Sequence, residues 1–327
     1  MNRTFGKIIS YLIPLVLGLG LLHWVFNEID LAQTFRDFKN AHYGLVAAAA
    51  VLALLSHVFR AARWTLMLKP MGYTPSVYHA TLAVLVGYLT NLVFPRAGEV
   101  ARAVSLQKSE NVPFDKSFGA VIAERVTDVL VLLVLMIVNL ALEYDRILQL
   151  FNELVPDFQG GWIIPVAVLF FCFFVFLFFR FRDRIFGLPF ISRFRSFFEG
   201  LKEGFVSVLN LEKPWVFVLQ SFVIWVLYYV SSMLLCYSLD IGSSLSPLAV
   251  LTILVMGTIG MAVPTMGGIG SYHLLVGKIV ILYGLTNQDG VSLATFLHTM
   301  NGILFVIVFG VVALVLSTFG RRANKKN

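Results

Sequence analysis

Eight residues carry charge inside or beside stretches of the chain that are otherwise apolar: Arg60, Arg63, Arg96, Glu99, Arg102, Glu124, Arg125 and Asp128. At bilayer depth an Arg or Asp costs roughly 2.5–3.5 kcal/mol on insertion scales, so such residues mark pairing or function. Two chemistries are open to them. Arginine forks bind phosphate through two parallel hydrogen bonds, which would suit an anionic headgroup. Alternatively, Arg96 and Arg102 serve only to neutralise Glu99, Glu124 and Asp128. On a helix Glu124 and Asp128 share a face, and Arg125 and Asp128 form an i,i+3 pair. Arg60 and Arg63 either admit an anionic headgroup or snorkel to the interface. Thr90 and Asn91, one turn before Pro95, would bind a headgroup or satisfy backbone carbonyls freed at a break.

The charges gather at a break in the apolar pattern. The stretch VFPRAGEVARA from Val93 has a counterpart, AVPTMGGIGSY from Ala262. Pro95 aligns with Pro264, Gly98 with Gly267, Val100 with Ile269 and Ala101 with Gly270, always 169 residues apart. In each, proline stops one helix, glycine lets the backbone turn and a new helix begins. Its first N–H groups lack helical partners and its positive dipole end faces the break, which makes an anion site. Gly268 and Gly270 extend the second break. His273 is either a proton carrier or a hydrogen-bonded structural residue. Lys278 has no evident role, and the remaining histidines are scattered. No zinc-type spacing, P-loop, dinucleotide fingerprint or Gly-x-Ser-x-Gly occurs, so neither cofactor nor metal is expected.

The elements that position these residues must be membrane helices. The 327 residues are 58% hydrophobic and only 13% charged, where a soluble domain would carry about 25% charge. Several runs approach the roughly 20 apolar residues that span a bilayer. Expected spans are Ile8–Phe26, Tyr43–Leu68, Ser117–Leu142, Trp162–Phe179, Pro214–Leu239 and Val291–Phe319, with an acidic loop at Asn27–Ala41. The first is read as a retained helix, since no small-residue cleavage site follows it. Residues 76–107 and 247–284 are expected to form helical hairpins. Residues 182–212 place Phe194, Phe197, Leu201, Phe205 and Val208 at three- and four-residue steps, which predicts an amphipathic helix at the membrane surface. Cys172 and Cys236 fall in apolar runs and read as packing residues.

Lys and Arg bias sets the orientation. With the N-terminus cytoplasmic and each proline-broken segment doubling back, only Arg36, Lys39 and Arg146 fall outside, while Arg125 and Lys278 lie within the membrane. The basic tail then lies inside. The expected fold is all-α integral membrane: one domain, 1–327, with about six full transmembrane helices plus two re-entrant helical hairpins. The first hairpin enters from the cytoplasm and the second from outside, an inverted-topology repeat with sites near the midplane. The charge of +7 sorts by membrane side and needs no nucleic acid.

RAARW at Arg60–Trp64, GYLTNLVFPRAGEVAR at Gly87–Arg102, ERVTD at Glu124–Asp128 and PTMGGIG at Pro264–Gly270 resemble the transmembrane domain of lysylphosphatidylglycerol synthases. That domain also occurs as a stand-alone flippase-like protein. The resemblance covers nearly the whole chain. It implies lipid translocation without lipid synthesis, since no synthase domain follows the last span. It also implies that Arg60, Arg63, Asn91, Pro95, Arg96, Gly98, Glu99, Arg102, Glu124, Arg125, Asp128, Pro264, Gly267, Gly268 and Gly270 form the site. Family members often carry Glu where this chain has His273, so headgroup and proton coupling need not carry over. The expected substrate is a phosphate-bearing lipid, either a modified phospholipid or a polyprenyl-phosphate-linked precursor, moved across the cytoplasmic (inner) membrane. Expected partners are a membrane lipid with an anionic headgroup, the bilayer and a separate lipid synthase. Two rivals remain open: an intramembrane enzyme using Glu99, Glu124 or Asp128 on lipid phosphates, and a scaffold for a synthase.

Overall fold

Among the described residues, three segments are long and apolar enough to cross a membrane: Tyr43–Met71, Pro214–Tyr237 and Asn287–Thr318. The computed structural model describes residues 16–27, 29–94, 97–146, 149, 180, 206–208, 210–263 and 265–324, and among them every regular element is helical. In chain order these are α1 (Val16–Phe26), α2 (Leu31–Lys39), α3 (Tyr43–Leu68), α4 (Val77–Val93), α5 (Gly98–Glu110), α6 (Phe114–Leu142), α7 (Pro214–Tyr237), α8 (Pro247–Ala262), α9 (Ser271–Ile281), α10 (Asn287–Leu297) and α11 (Phe305–Asn324). A π-helical stretch, His298–Leu304, joins α10 to α11.

Local chemistry sets the helix starts. Ser76 accepts from the His79 amide, Ser246 from Ala249 and Thr286 from Asp289, each satisfying an N–H that the helix leaves free. Proline opens α7 and α8, where its missing N–H costs nothing. The expected loop Asn27–Ala41 instead contains α2. Asp30 caps it by accepting from Ala32 and Gln33, and Arg36 and Lys39 complement its C-terminal dipole. α5 runs a turn further than expected and ends at Asn111, whose φ of 55° is left-handed.

The described chain repeats one order of helices. α3, α4, α5 and α6 run long, short, short, long, and α7, α8, α9 and the α10–α11 rod follow the same order. α3 and α7 end at Leu68 and Tyr237, and α4 and α8 at Val93 and Ala262. Both pairs lie 169 residues apart, the offset between the two proline motifs. α3 and α7 pack antiparallel: Ser231 bonds the Ala49 carbonyl near one end, and Arg63 bonds Ser221 near the other. Equivalent long helices of the two halves therefore point in opposite directions.

Both expected hairpins fold back on themselves. At the open end of the first, Glu110 accepts from the Ser76 amide at 3.1 Å and meets His79 at 2.6 Å. Near its closed end a Cβ on Gly87 would come within 2.8 Å of the Gly98 carbonyl. At the open end of the second, Thr252 and Tyr283 hydroxyls meet at 2.7 Å, and near the break Ser271 donates to the Gly260 carbonyl at 2.7 Å. Outward faces are apolar, with Val134 and Ile137 on α6, Val218 and Phe222 on α7, and Val312 and Val315 on α11 exposed. Such faces belong against lipid.

The expected span Trp162–Phe179, the start of the first helix, Pro95, Arg96, Cys172 and Pro264 lie outside the described residues. So does the amphipathic segment 182–212, apart from 206–208 and 210–212.

Candidate functional site

The first half encloses a buried ionic cluster. α3 presents Arg60 and Arg63 one turn apart on one face, α5 presents Arg102, and α6 presents Glu124 and Asp128, also one turn apart. Arg60 Nη1 donates to Glu124 at 2.5 Å and to Asp128 at 2.8 Å. Arg63 Nη2 donates to Asp128 at 2.6 Å. Arg102 forks onto Glu124, with its two Nη atoms at 3.0 and 2.8 Å from the two carboxylate oxygens. Glu124 and Arg63 are wholly buried, and Arg60 and Arg102 nearly so. Two further groups complete the shell: Tyr228 on α7 accepts from Arg60 at 3.1 Å, and Ser221 accepts from Arg63 at 2.9 Å. Buried Trp64 donates its indole N–H to the Ser117 carbonyl, and the Arg102 guanidinium lies 3.9 Å over its ring, a cation–π contact.

Counting charges decides what this cluster can do. Three guanidinium groups face two carboxylates. Arginine stays protonated in proteins, so the cluster keeps one positive charge in excess. The Nε–H groups of Arg63 and Arg102 are buried with no acceptor among the described residues. An isolated charge excess in low dielectric is costly, and an anion would relieve it.

Beside the cluster, Gly87, Tyr88, Asn91, Gly98, Glu99 and Arg125 line a narrow cleft between α4, α5 and α6. Arg125 and Glu99 pair across it at 2.9 Å, both partly exposed. The expected i,i+3 pair of Arg125 with Asp128 is therefore not made. Asp128 faces α3 instead, where two arginines outbid one, and Arg125 turns to α5. Glu124 and Asp128 do share a face, as expected. Arg60 and Arg63 do not snorkel, because their partners lie at their own depth. Asn91 Oδ1 accepts the Gly98 amide at 2.7 Å. The first N–H of α5 is thus capped from α4, so the helix start expected there is in part already satisfied. Thr90 bonds back to the Val86 carbonyl, the structural reading. Gly98 is helical, and its lack of a side chain serves close approach, not a turn. A Cβ there would run into the Gly87 carbonyl and the Asn91 amide.

The second break works differently. Gly267, Gly268 and Gly270 have φ of 59, 76 and 83°, a region that favours glycine. Here glycine does turn the chain, and α9 starts only at Ser271. Contacts within the break brace its start: the Gly270 N–H donates to His273 Nδ1 at 3.4 Å, and Thr265 and Ser271 hydroxyls meet at 3.0 Å. His298, which sequence reading left among the scattered histidines, belongs to this site. It bonds the Gly267 carbonyl at 2.8 Å, stacks on Tyr272 and meets His273 edge-on at 4.9 Å. It opens the π-helical stretch, a distortion frequent at functional sites. Tyr228 was missed as well. No local pattern in the sequence links it to Arg60, 168 residues away. Among the described residues no group of three His, Cys, Asp or Glu has metal-holding geometry.

The model of the family described as the lysylphosphatidylglycerol synthase TM region matches residues 11–322, so the chain belongs to that family and is a membrane protein. Among similar proteins, one from Haloferax volcanii named glycosyltransferase AglD is 33% identical over 124 residues, 38% of this chain and 19% of that protein. The UPF0104 membrane protein MJ1595 of Methanocaldococcus jannaschii is 30% identical over 130 residues, 39% of each. The UPF0104 membrane protein PH1989 of Pyrococcus horikoshii is 28% identical over 134 residues, 40% of this chain and 39% of that one. The matches thus span well under half of each relative's length. No solved structure matches the chain.

Proposed function

We propose that this family member moves a phosphate-bearing lipid across the cytoplasmic membrane without altering it. The observation that carries the reading is the buried cluster of three arginines on two carboxylates at the base of the first hairpin. Its excess positive charge suits one phosphodiester. Arg102 already holds a bidentate oxyanion in Glu124, and a phosphate presents the same pair of oxygens. An arriving headgroup would displace Glu124 from that fork while Arg60 retains the carboxylate. Hydrogen bonds are exchanged one for one, so no charge is left bare during the passage. The Glu99–Arg125 pair would stand at the entrance.

Glu124 and Asp128 have their carboxylate oxygens taken up by arginines, and Glu99 is tied to Arg125. None is placed as a free acid or base, which favours transport over catalysis. The topology proposed with it has six full spans, two re-entrant hairpins and both termini in the cytoplasm. The doubled-back hairpins and the antiparallel α3–α7 pair support it. Among substrates, a polyprenyl-phosphate-linked glycosyl precursor gains support from the relative named a glycosyltransferase, and a modified phospholipid uses the same phosphate contacts.

Reconstitution tests the reading. Purified full-length chain in liposomes should speed the transbilayer movement of fluorescent phosphate-bearing lipids and leave them chemically unchanged. Arg102→Met should slow it. Chemical conversion of the lipid would replace transport with catalysis. No movement of any phosphate-bearing lipid, by protein that stays folded, would overturn the proposal.

A further inference from the structure

Lys278 takes no part in the cluster above. It stands in the last turn of α9, and among the described residues it makes no hydrogen bond or ion pair. It lines a cavity of about 210 Å³ where the end of α1 meets α9 and the start of α10. Trp24, Asn27, His273 and Asn287 line the same cavity. This is several times the roughly 30 Å³ share of one water, enough for a hydrated phosphate group.

The polar lining is weighted to donors. Lys278 supplies an ammonium and Asn27 and Asn287 supply amides. Because the Gly270 N–H donates to His273 Nδ1, the neutral ring carries its proton on Nε2, a second donor. No carboxylate is among the described residues of the wall. A partly buried ammonium with no counter-charge among the described residues is costly. A ligand that brings negative charge and several acceptors removes that cost.

We infer that this cavity is a second anion site, for the phosphate of a lipid headgroup or a free phosphate, in the opposite half of the molecule from the arginine cluster. Three long-range contacts put it at the other end of the helices. Asp30 and Gln288 bond each other beside it, Ser292 bonds Asp37, and α10 runs from there toward the opposite end of α3. The inference deepens the transport reading by giving a translocated phosphate a place to dwell on the far side, and it rests on that reading for its purpose but not for its geometry.

The test measures binding to full-length protein in nanodiscs, with three probes: short-chain phosphatidic acid, inorganic phosphate and short-chain diacylglycerol. Lys278→Met should weaken phosphatidic acid binding at this site about tenfold or more, the effect of one lost charge-assisted bond. Lys278→Arg should retain most of it, and diacylglycerol should not respond to either change. If inorganic phosphate shows the same Lys278 dependence, the site reads the oxyanion alone; if only phosphatidic acid does, it reads the lipid. Both outcomes uphold it. Phosphatidic acid affinity unchanged in Lys278→Met overturns it. Poor folding of Lys278→Met that Glu28→Gln repairs would also overturn it, by making Lys278 one half of an internal pair. Lipid movement is scored separately on the same proteins. A chain that binds through Lys278 yet moves no lipid would sink the transport reading and leave this site standing.

Discussion

Glu124→Gln isolates the worth of the buried cluster. The wild-type carboxylate is wholly buried and accepts three hydrogen bonds, one from Arg60 and two from Arg102, with Arg63 a further 3.8 Å away. Glutamine keeps the shape, removes the charge and turns two donors toward guanidinium groups that need acceptors. Three cations would then face Asp128 alone, and the excess charge would double. Uncompensating a buried pair costs about 3–5 kcal/mol. At roughly 2–4 °C per kcal/mol for a chain of moderate size, the melting temperature should fall on the order of 10 °C. Adding Arg102→Met restores the original excess while keeping an apolar stem over Trp64. The double mutant should therefore recover part of the loss, a coupling of about 1–3 kcal/mol. Arg125→Met is the control: its pair with Glu99 is partly exposed and should be worth about 1 kcal/mol or less. Fluorescence-detected size exclusion after a heat step reads all four proteins. The reasoning fails if Glu124→Gln melts no lower than Arg125→Met, or if the double mutant loses the sum of the two single losses.

Three other outcomes are expected. With Cys172 and Cys236 replaced, single cysteines at Lys108 and Gln288 should label from opposite sides of the membrane, Lys108 from the cytoplasm; labelling of Lys108 from outside would break the re-entrant topology. Gly98→Ala should cost about 1–3 kcal/mol by overpacking against Gly87 and Asn91, and Gly87→Ala should be similarly poor; a neutral Gly98→Ala in a thermal melt would show that the hairpin is looser than its contacts imply. Arg96→Ala should weaken binding of a phosphate-bearing lipid tenfold to a hundredfold, with Arg96→Lys between, since lysine keeps the charge and loses the fork; unchanged lipid affinity would remove Arg96 from the site.

Much of the helical order could be read from the sequence because proline and charge punctuate it. The ends of α3, α4 and α8 fall within a residue or two of the expected positions, where Pro70, Pro95 and Pro264 follow. What could not be read was which charge meets which. Arg125 and Asp128 are neighbours on one helix, and local spacing favours their pairing. In the structure α3 delivers two arginines to Asp128 from sixty-odd residues away, and that tertiary competition has no local signature. The cap on α5 and the His298 contact at the second break were invisible for the same reason. Asn91 satisfies Gly98 only because the hairpin closes, and His298 reaches Gly267 only because α10 packs beside the break. α2 was hidden by its polarity: Asp30 and two basic residues read as a loop until their places at the two helix ends are seen.

The repeat also shows where the halves have diverged, and this bears on which face binds an anion more tightly. Carried forward by 169 residues, Arg60, Arg63, Glu99, Arg102, Glu124, Arg125 and Asp128 fall on Tyr229, Ser232, Gly268, Ser271, Leu293, Ala294 and Leu297. Every charge of the first half meets a neutral residue in the second. Where the first break is held by ion pairs, the second is held by Ser271 on Gly260 and His298 on Gly267. Two antiparallel halves of equal chemistry would present equal affinities to the two leaflets. Here the deep arginines lie in one half only, and the second half offers a lone ammonium nearer its end. A phosphate moving between them goes from several buried cations to one. On the transport reading, that gradient of positive charge makes the protein bind the lipid more tightly from one leaflet than from the other, while the net direction of movement follows from whatever driving force the lipid experiences. Moving the asymmetry should move the preference: Leu297→Asp with Ser232→Arg would place a carboxylate–guanidinium pair in the second half. If the ratio of lipid affinities measured from the two faces of the protein stays unchanged in that variant while it remains folded, the charge asymmetry does not set the side of tighter binding.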